Sequence, residues 1–347
     1  MEPAFQAFYK TCTGFLKKDP ETVLSKTAGY AGKIKDWLPA CEILPKYHEA
    51  GEYHRFFEDY FQPFEIETTQ AINKLTGYYE PELSVSEKKT AKYSTPIPLR
   101  PKDLIEARLG VFDPALDGKT VWGQVKNGRL VLYPERADIR IEPDRVLAYA
   151  DPADVFFLQI QGSGRLRFTN GKVSRAGFDA HNHRPFGSLA NHLIKTGELK
   201  TSEASMQGIR RWIEKVGPER AAQAMNVNPR FVFFRERVVE NDNEGPIGAA
   251  GLPLTPLGSL AVDLDLHALG VPFYLSSKFP TKKSGWKGED TGSLLIAQDT
   301  GGAIKGARRG DIFFGWGDSA GAVAGRMNHQ GQFFVLLPQG MTLEPAT

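Results

Sequence analysis

Short apolar runs separated by glycine- and proline-rich turns fill the last third of the chain, at residues 231–234, 260–263, 272–275, 294–297, 311–314 and 332–336. Runs this short are strands rather than buried helices, and their regular spacing predicts a small closed barrel. The 35 glycines and 23 prolines among 347 residues are what so many tight turns require. Upstream the pattern differs. Phe5, Phe8, Tyr9, Phe15 and Leu16, then Tyr53, Phe56, Phe57, Tyr60 and Phe61, recur at helical spacing and predict two or three helices over 4–61.

Between these regions, Thr76-Gly77-Tyr78-Tyr79-Glu80-Pro81-Glu82-Leu83 reads as an aromatic strand that Pro81 ends or places at an edge. Pro96, Pro98 and Pro101 then open a module of mixed α and β character expected at 98–229. Asn127-Gly128 and Asn170-Gly171 each predict a hairpin turn with positive φ at both central positions. Residues 188–196 and 205–216 read as helices stopped by Gly197 and by Gly217-Pro218. The run around Gln159 and Gln161 reads as a strand that carries both side chains on one face. The domain organisation expected is 1–97 with 230–347 as one unit and 98–229 as an insertion.

Composition excludes several classes. No stretch approaches the length of a membrane-spanning helix. A formal charge of +2 is far below what electrostatic nucleic-acid binding needs. Cys12 and Cys41 lack the CxxC spacing of zinc or redox centres, which leaves two buried thiols or a structural disulfide. Met-Glu-Pro-Ala-Phe-Gln carries no basic patch followed by an apolar run, so the chain is expected to be cytoplasmic or to have lost a leader.

Three carboxylates sit at the ends of apolar strands: Asp263, Asp299 and Asp311. Partial desolvation there raises a carboxyl pKa, which is how a protein makes an acid that donates near neutral pH. The alternative is that they cap turns or pair with Arg308 and Arg309. Asp290-Thr291-Gly292 and Asp299-Thr300-Gly301 look like aspartic-protease motifs, but two copies so close together cannot face each other across two lobes. Lys305 precedes Gly306, which is not the order of a phosphate-binding loop. The run Gln298-Asp299-Thr300-Gly301-Gly302-Ala303-Ile304-Lys305-Gly306 is therefore read as a turn that lets backbone approach a bulky ligand beside a carboxylate.

Five segments, in this order, closely resemble the membrane-bound lytic murein transglycosylase A family with its three-aspartate domain. They are Tyr78-Tyr79-Glu80-Pro81, Phe156-Phe157-Leu158-Gln159-Ile160-Gln161-Gly162-Ser163-Gly164, Gly251-Leu252-Pro253-Leu254-Thr255-Pro256 leading to Asp263, Ala297 to Gly306, and Arg309-Gly310-Asp311-Ile312-Phe313-Phe314-Gly315. The resemblance implies a mainly β fold with helices, a double-psi β-barrel carrying an inserted β-rich domain that forms the other wall of a glycan groove. It implies Asp311 as catalytic acid, with Asp299 and Asp263 shifting its pKa or holding the charged sugar. The activity implied is cleavage of the β-1,4 MurNAc-GlcNAc bond of peptidoglycan with formation of a 1,6-anhydromuramoyl end. A hydrolase using two aspartates and water, or a non-catalytic glycan-binding module, are the rival readings.

Substrate contacts are expected from Tyr78, Tyr79, Glu80, Gln159, Gln161, Ser163, Thr300, Gly301, Gly302 and Trp316, with core packing as the alternative for the tyrosines. His181-Asn182-His183 is read as a surface loop rather than a metal pair, and Lys305, Arg308 and Arg309 as a solvated face or a contact for acidic peptide stems. No metal or organic cofactor is expected. Glycan strands are the expected partner, with cell-wall synthesis or division proteins left open, and the chain is expected to be monomeric. The resemblance implies a periplasmic location and leaves outer-membrane association open, because the family's lipoprotein leader and lipid-bearing cysteine are not visible here.

Overall fold

A computed structural model describes residues 1–69, 72–239, 244–280 and 287–341. Three helices open the chain: α1 (Glu2–Phe15), α2 (Ile34–Ala50) and α3 (Tyr53–Tyr60). Of the aromatic residues that predicted them, Phe5, Phe8 and Phe56 converge fully buried, joined by Trp37 of α2. Burying each such ring is worth about 1.5–3 kcal/mol. Cys12 on α1 and Cys41 on α2 form a disulfide, which resolves the two readings of the pair in favour of the bond. Strands β1 (Phe61–Glu65) and β2 (Asn73–Glu80) follow.

The chain then enters a second compact unit, Pro81–Asp242, and the first unit comprises Met1–Glu80 and Asn243–Thr347. The second unit is thus wider than the expected 98–229. Its four-stranded sheet is the reason, because that sheet recruits strands from both flanks. In chain order the second unit holds β3 (Glu82–Val85), β4 (Thr95–Pro98), β5 (Ile105–Arg108), β6 (Thr120–Lys126), β7 (Arg129–Leu132), β8 (Val146–Ala150), α4 (Pro152–Gln161), β9 (Gly164–Phe168), β10 (Val173–His181), α5 (Leu189–Lys195), α6 (Met206–Val216), α7 (Pro218–Met225) and β11 (Val232–Arg237). The sheet order β11-β10-β9-β3 draws residues 231–234 into this unit and away from the barrel they were assigned to. The Asn127-Gly128 hairpin has both central residues at positive φ, whereas at Asn170-Gly171 only Gly171 does. Asn170 instead accepts the Lys172 amide through its side chain at 3.0 Å.

The segment read as a strand through Gln159 and Gln161 is helix α4. Asp151 caps it by accepting from the Ala153 amide, Pro152 stands in its first turn, and Gly162 closes it in the left-handed region. These caps could have found it; the apolar character all around the helix hid its period, because it is buried on most sides. Gln159 is 5% exposed, and its side chain accepts from the Arg136 guanidinium and donates to Val232 O. Arg136, whose own pKa burial lowers to about 10, lies over the Phe156 and Phe231 rings. Gln159→Ala is therefore expected to cost about 1–3 kcal/mol by stranding part of a buried cation, while Gln161→Ala stays within about 0.5 kcal/mol. Thermal melting of the two single variants separates them; equal small shifts would show that the Arg136 contact carries no stability.

Returning to the first unit, the chain forms β12 (Ser259–Ala261), β13 (Pro272–Phe279), β14 (Glu289–Asp299), β15 (Arg308–Trp316), α8 (Gly317–Ala324), β16 (Asn328–His329) and β17 (Gly331–Pro338). One eight-stranded sheet runs β1-β17-β13-β14-β12-β15-β2-β16. Two pairs in it are parallel, β12 with β14 and β15 with β2. Across β12 the sheet turns antiparallel to β15. Leu260, Leu295, Ile296, Ile312 and Phe333 from this sheet join the helical aromatic residues in one core. The fold is thus mixed α and β with more strand than helix.

Candidate active site

Strand register sets five polar or small side chains in a row. Ala261 of the short central strand lies opposite Asp299 on one side, after a one-residue shift that follows Leu260, and opposite Asp311 on the other. Asp311 in turn lies opposite Thr76, and Thr76 opposite Asn328. Adjacent strands are about 4.8 Å apart, so the two aspartates sit roughly two spacings from each other with only an alanine between.

Each carboxyl has a defined surround. Thr76 Oγ1 donates to Asp311 Oδ1 at 2.6 Å. Among the described residues, Oδ2 of Asp311 has no hydrogen-bond partner. Burial pushes the Asp311 pKa up to about 6, against the Thr76 hydrogen bond and the Arg309 charge and with help from neighbouring Asp299. Both oxygens of Asp299 are engaged: Oδ2 accepts from Tyr78 OH at 2.7 Å and Oδ1 from the Ala249 amide at 3.0 Å. Burial also raises the Asp299 pKa, and it raises the Tyr78 phenol well above its ordinary value with Asp299 adding to the effect.

The Ala249 amide reaches Asp299 because the loop carrying it is pinned at several points. Ala250 N donates to Gln298 O and Leu257 N to Phe313 O. Gly245 has no room for a side chain, since a Cβ there would lie 2.6 Å from Leu254 O and 2.7 Å from the Phe313 ring. Lys10 of α1 donates to Pro253 O and Thr255 Oγ1. Beside Asp299, fully buried Gln298 donates to Ala7 O and Thr11 Oγ1 and accepts from Ser259 Oγ. The strand bearing the carboxylate is thereby tied to the N-terminal helix.

Asp263 is held elsewhere. Its Oδ1 accepts from Lys305 Nζ at 2.9 Å and its Oδ2 from the Gly306 amide at 2.8 Å. Burial pushes this carboxyl up, but those two hydrogen bonds, a third from the Asp265 amide and the Lys305 charge together outweigh it and leave the pKa below the ordinary value. Asp263 therefore fastens the glycine-rich turn of Gly301 and Gly302, whose Thr300 hydroxyl bonds Val262 O at 2.8 Å. The structure brings Asp299 and Asp311 together and gives Asp263 a separate ion pair.

The remaining expected site residues divide. Tyr78 belongs to the carboxylate network, whereas Tyr79 packs on Gly321 of α8 and Glu80 is 1% exposed. Trp316 is half-buried and lines a cleft of about 600 Å³ with Pro256, Phe279 and Phe314. In the second unit, Ser163 follows the Gly162 cap, half-buried. Asn182 is fully buried, donating to Pro134 O and Pro229 O, so the His181-Asn182-His183 segment is anchored rather than a surface loop. No group of three or more metal-ligating side chains occurs among the described residues. Thr76 and Arg309 are the functional candidates that sequence reasoning missed; Arg309, expected on a solvated face, is 9% exposed.

Residues 74–235 match the MltA specific insert domain and residues 258–337 the 3D domain. Membrane-bound lytic murein transglycosylase A of Escherichia coli (strain K12) is 30% identical over 272 residues, which are 76% of this chain and 65% of that protein's length. The crystal structure of a membrane-bound lytic murein transglycosylase from Agrobacterium tumefaciens superposes with a TM-score of 0.80 at 29% identity, covering 96% of this chain and 92% of that one. The E. coli protein crystallised with bound chitohexaose shares the fold with a TM-score of 0.71 at 24% identity, over 96% and 90% of the two chains. The relatives are named as membrane-bound; among the described residues no helix of this chain is long and apolar enough to cross a membrane.

Proposed function

We propose, from the premise that this chain belongs to the membrane-bound lytic murein transglycosylase A family, that it is a periplasm-facing enzyme cleaving the β-1,4 MurNAc-GlcNAc bond of peptidoglycan without water. Asp311 is the acid. With its pKa near 6 it carries a proton for the glycosidic oxygen, and the C1–O bond breaks as that proton arrives. The resulting carboxylate then takes the proton of the MurNAc C6 hydroxyl as O6 bonds to C1, closing the 1,6-anhydro ring. A tethered nucleophile has a high effective concentration and needs no positioned water.

One observation carries the choice of a single carboxyl group. A hydrolase needs a second carboxylate free to attack or to activate water. Asp299 has both oxygens committed to Tyr78 and Ala249, whereas Asp311 keeps Oδ2 open. Asp299 fits an electrostatic role, raising the pKa of its neighbour and facing the positive charge that develops on the sugar. The two parallel strand pairs flanking β12 support a double-psi barrel for the sheet that holds both.

Digestion of purified murein followed by mass spectrometry tests this reading. Anhydromuramoyl ends are expected; products heavier by one water would replace it with hydrolysis, and intact sacculi with glycan binding alone.

A further inference from the structure

Arg309 has no place in the reaction as written, yet it is a buried cation two residues from Asp311. Its guanidinium donates to Gly310 O, to Lys74 O at 3.5 Å and to Thr76 Oγ1 at 2.8 Å. A threonine hydroxyl has one proton and two acceptor lone pairs. With a guanidinium N–H, which can only donate, directed at Oγ1, the hydroxyl proton is free to point the other way, at Asp311 Oδ1.

We infer that Arg309 is a positioning residue which, by donating to Thr76, locks the threonine hydroxyl as a donor to Oδ1 of Asp311 and so keeps the transferable proton on Oδ2. The inference rests on the reading of Asp311 as the acid. Its logic is a count of lone pairs. When Asp311 is protonated, an Oδ1 that already accepts from Thr76 is the poorer seat for the proton, because an Oδ1–H would need Thr76 to turn and become the acceptor. Arg309 already takes one of the two lone pairs, so accepting through the other would turn the hydroxyl proton away from Asp311, the one acceptor that it has among the described hydrogen bonds. Oδ2, open among the described residues, then carries the proton. Once the proton has left, the same hydroxyl stabilises the carboxylate that must later accept one.

The test uses pH-rate profiles and Michaelis kinetics on murein for Thr76→Val, Thr76→Ser, Arg309→Gln and the Thr76→Val/Arg309→Gln pair, with Asp311→Asn alongside. Thr76→Val and Arg309→Gln should each lower kcat about tenfold with KM nearly unchanged and move the alkaline limb upward, since the ionised acid loses a donor. Thr76→Ser should restore the hydroxyl and stay within about twofold of wild type. In the Thr76→Val background, Arg309→Gln should add less than about twofold, because its effect runs through the missing hydroxyl. A full tenfold effect in that background would mean that Arg309 acts by its charge alone and would overturn the inference, as would a wild-type rate and profile for Arg309→Gln. Arg309→Met, which keeps the length of the side chain but has no donor, should show the same tenfold loss and serves where the glutamine variant does not fold; wild-type kinetics for it would equally overturn the relay. Activity in Asp311→Asn would sink the acid itself, whereas an inactive Asp311→Asn beside unchanged Thr76 and Arg309 variants would sink only the relay.

Discussion

Asp311→Asn is expected to lower turnover on murein at least about a thousandfold, on the order of 4 kcal/mol of transition-state stabilisation, while glycan binding persists. The amide matches the carboxyl in volume, and its oxygen still accepts from Thr76, so the strand row stays in place. What it lacks is the proton for the glycosidic oxygen and the base for the C6 hydroxyl. The same variant should be more stable than wild type at neutral pH. The sign follows from linkage: the folded pKa of about 6 lies above the usual unfolded value, so the contribution of Asp311 is complete below about pH 4 and is lost as pH rises through about 6. A neutral amide escapes that loss, which bounds the gain at pH 7 to about 3 kcal/mol. Melting temperatures measured at pH 4 and pH 7.5 check this. A variant that retains full activity would remove Asp311 from the acid role, and an unchanged stability difference between the two pH values would show that burial does not strain its charge.

The pair of aspartates was legible because each follows or precedes an apolar strand, which is a signal of desolvation. That signal could not separate them from Asp263, which has the same context but ends in an ion pair with Lys305. The difference lies in register: only the shift after Leu260 sets Ala261 opposite both Asp299 and Asp311, and a strand of three residues carries no pattern from which a shift can be read. Arg309 illustrates the same limit. Arg308-Arg309-Gly310 reads as solvent-facing, yet parallel pairing with Asn73 and Lys74 and the carbonyls nearby bury the second arginine. Thr76 was inside a quoted motif, but a threonine in an aromatic strand has an ordinary packing explanation until its partner across the sheet is known. The helix at Gln159 was a different kind of miss, since Asp151, Pro152 and Gly162 spelled its ends. There an all-round apolar face concealed the period that would have made the caps meaningful.

Removing the Cys12–Cys41 bond by a double alanine substitution is expected to destabilise the first unit by about 3 to 4 kcal/mol, from the chain entropy released by opening a loop of that length. The bond closes a sequence separation of 29 residues, and the cysteines are 3% and 2% exposed in the core where α1 meets α2. At roughly 2–4 °C per kcal/mol for a unit of this size, the melting temperature should fall by about 10 °C. Catalysis below that temperature should change far less. The contacts that secure the Asp299 strand are made by Thr11, next to Cys12, and by Ala7, more than one helical turn before it, on a helix that Phe5 and Phe8 still hold in the core. A double variant melting with the wild type would mean that the helical aromatic cluster alone fixes α1 on α2. A variant that keeps its melting temperature but loses turnover would mean that the bond acts on the site through Thr11 and Gln298, because no other described hydrogen bond joins α1 to β14 beside the carboxylate.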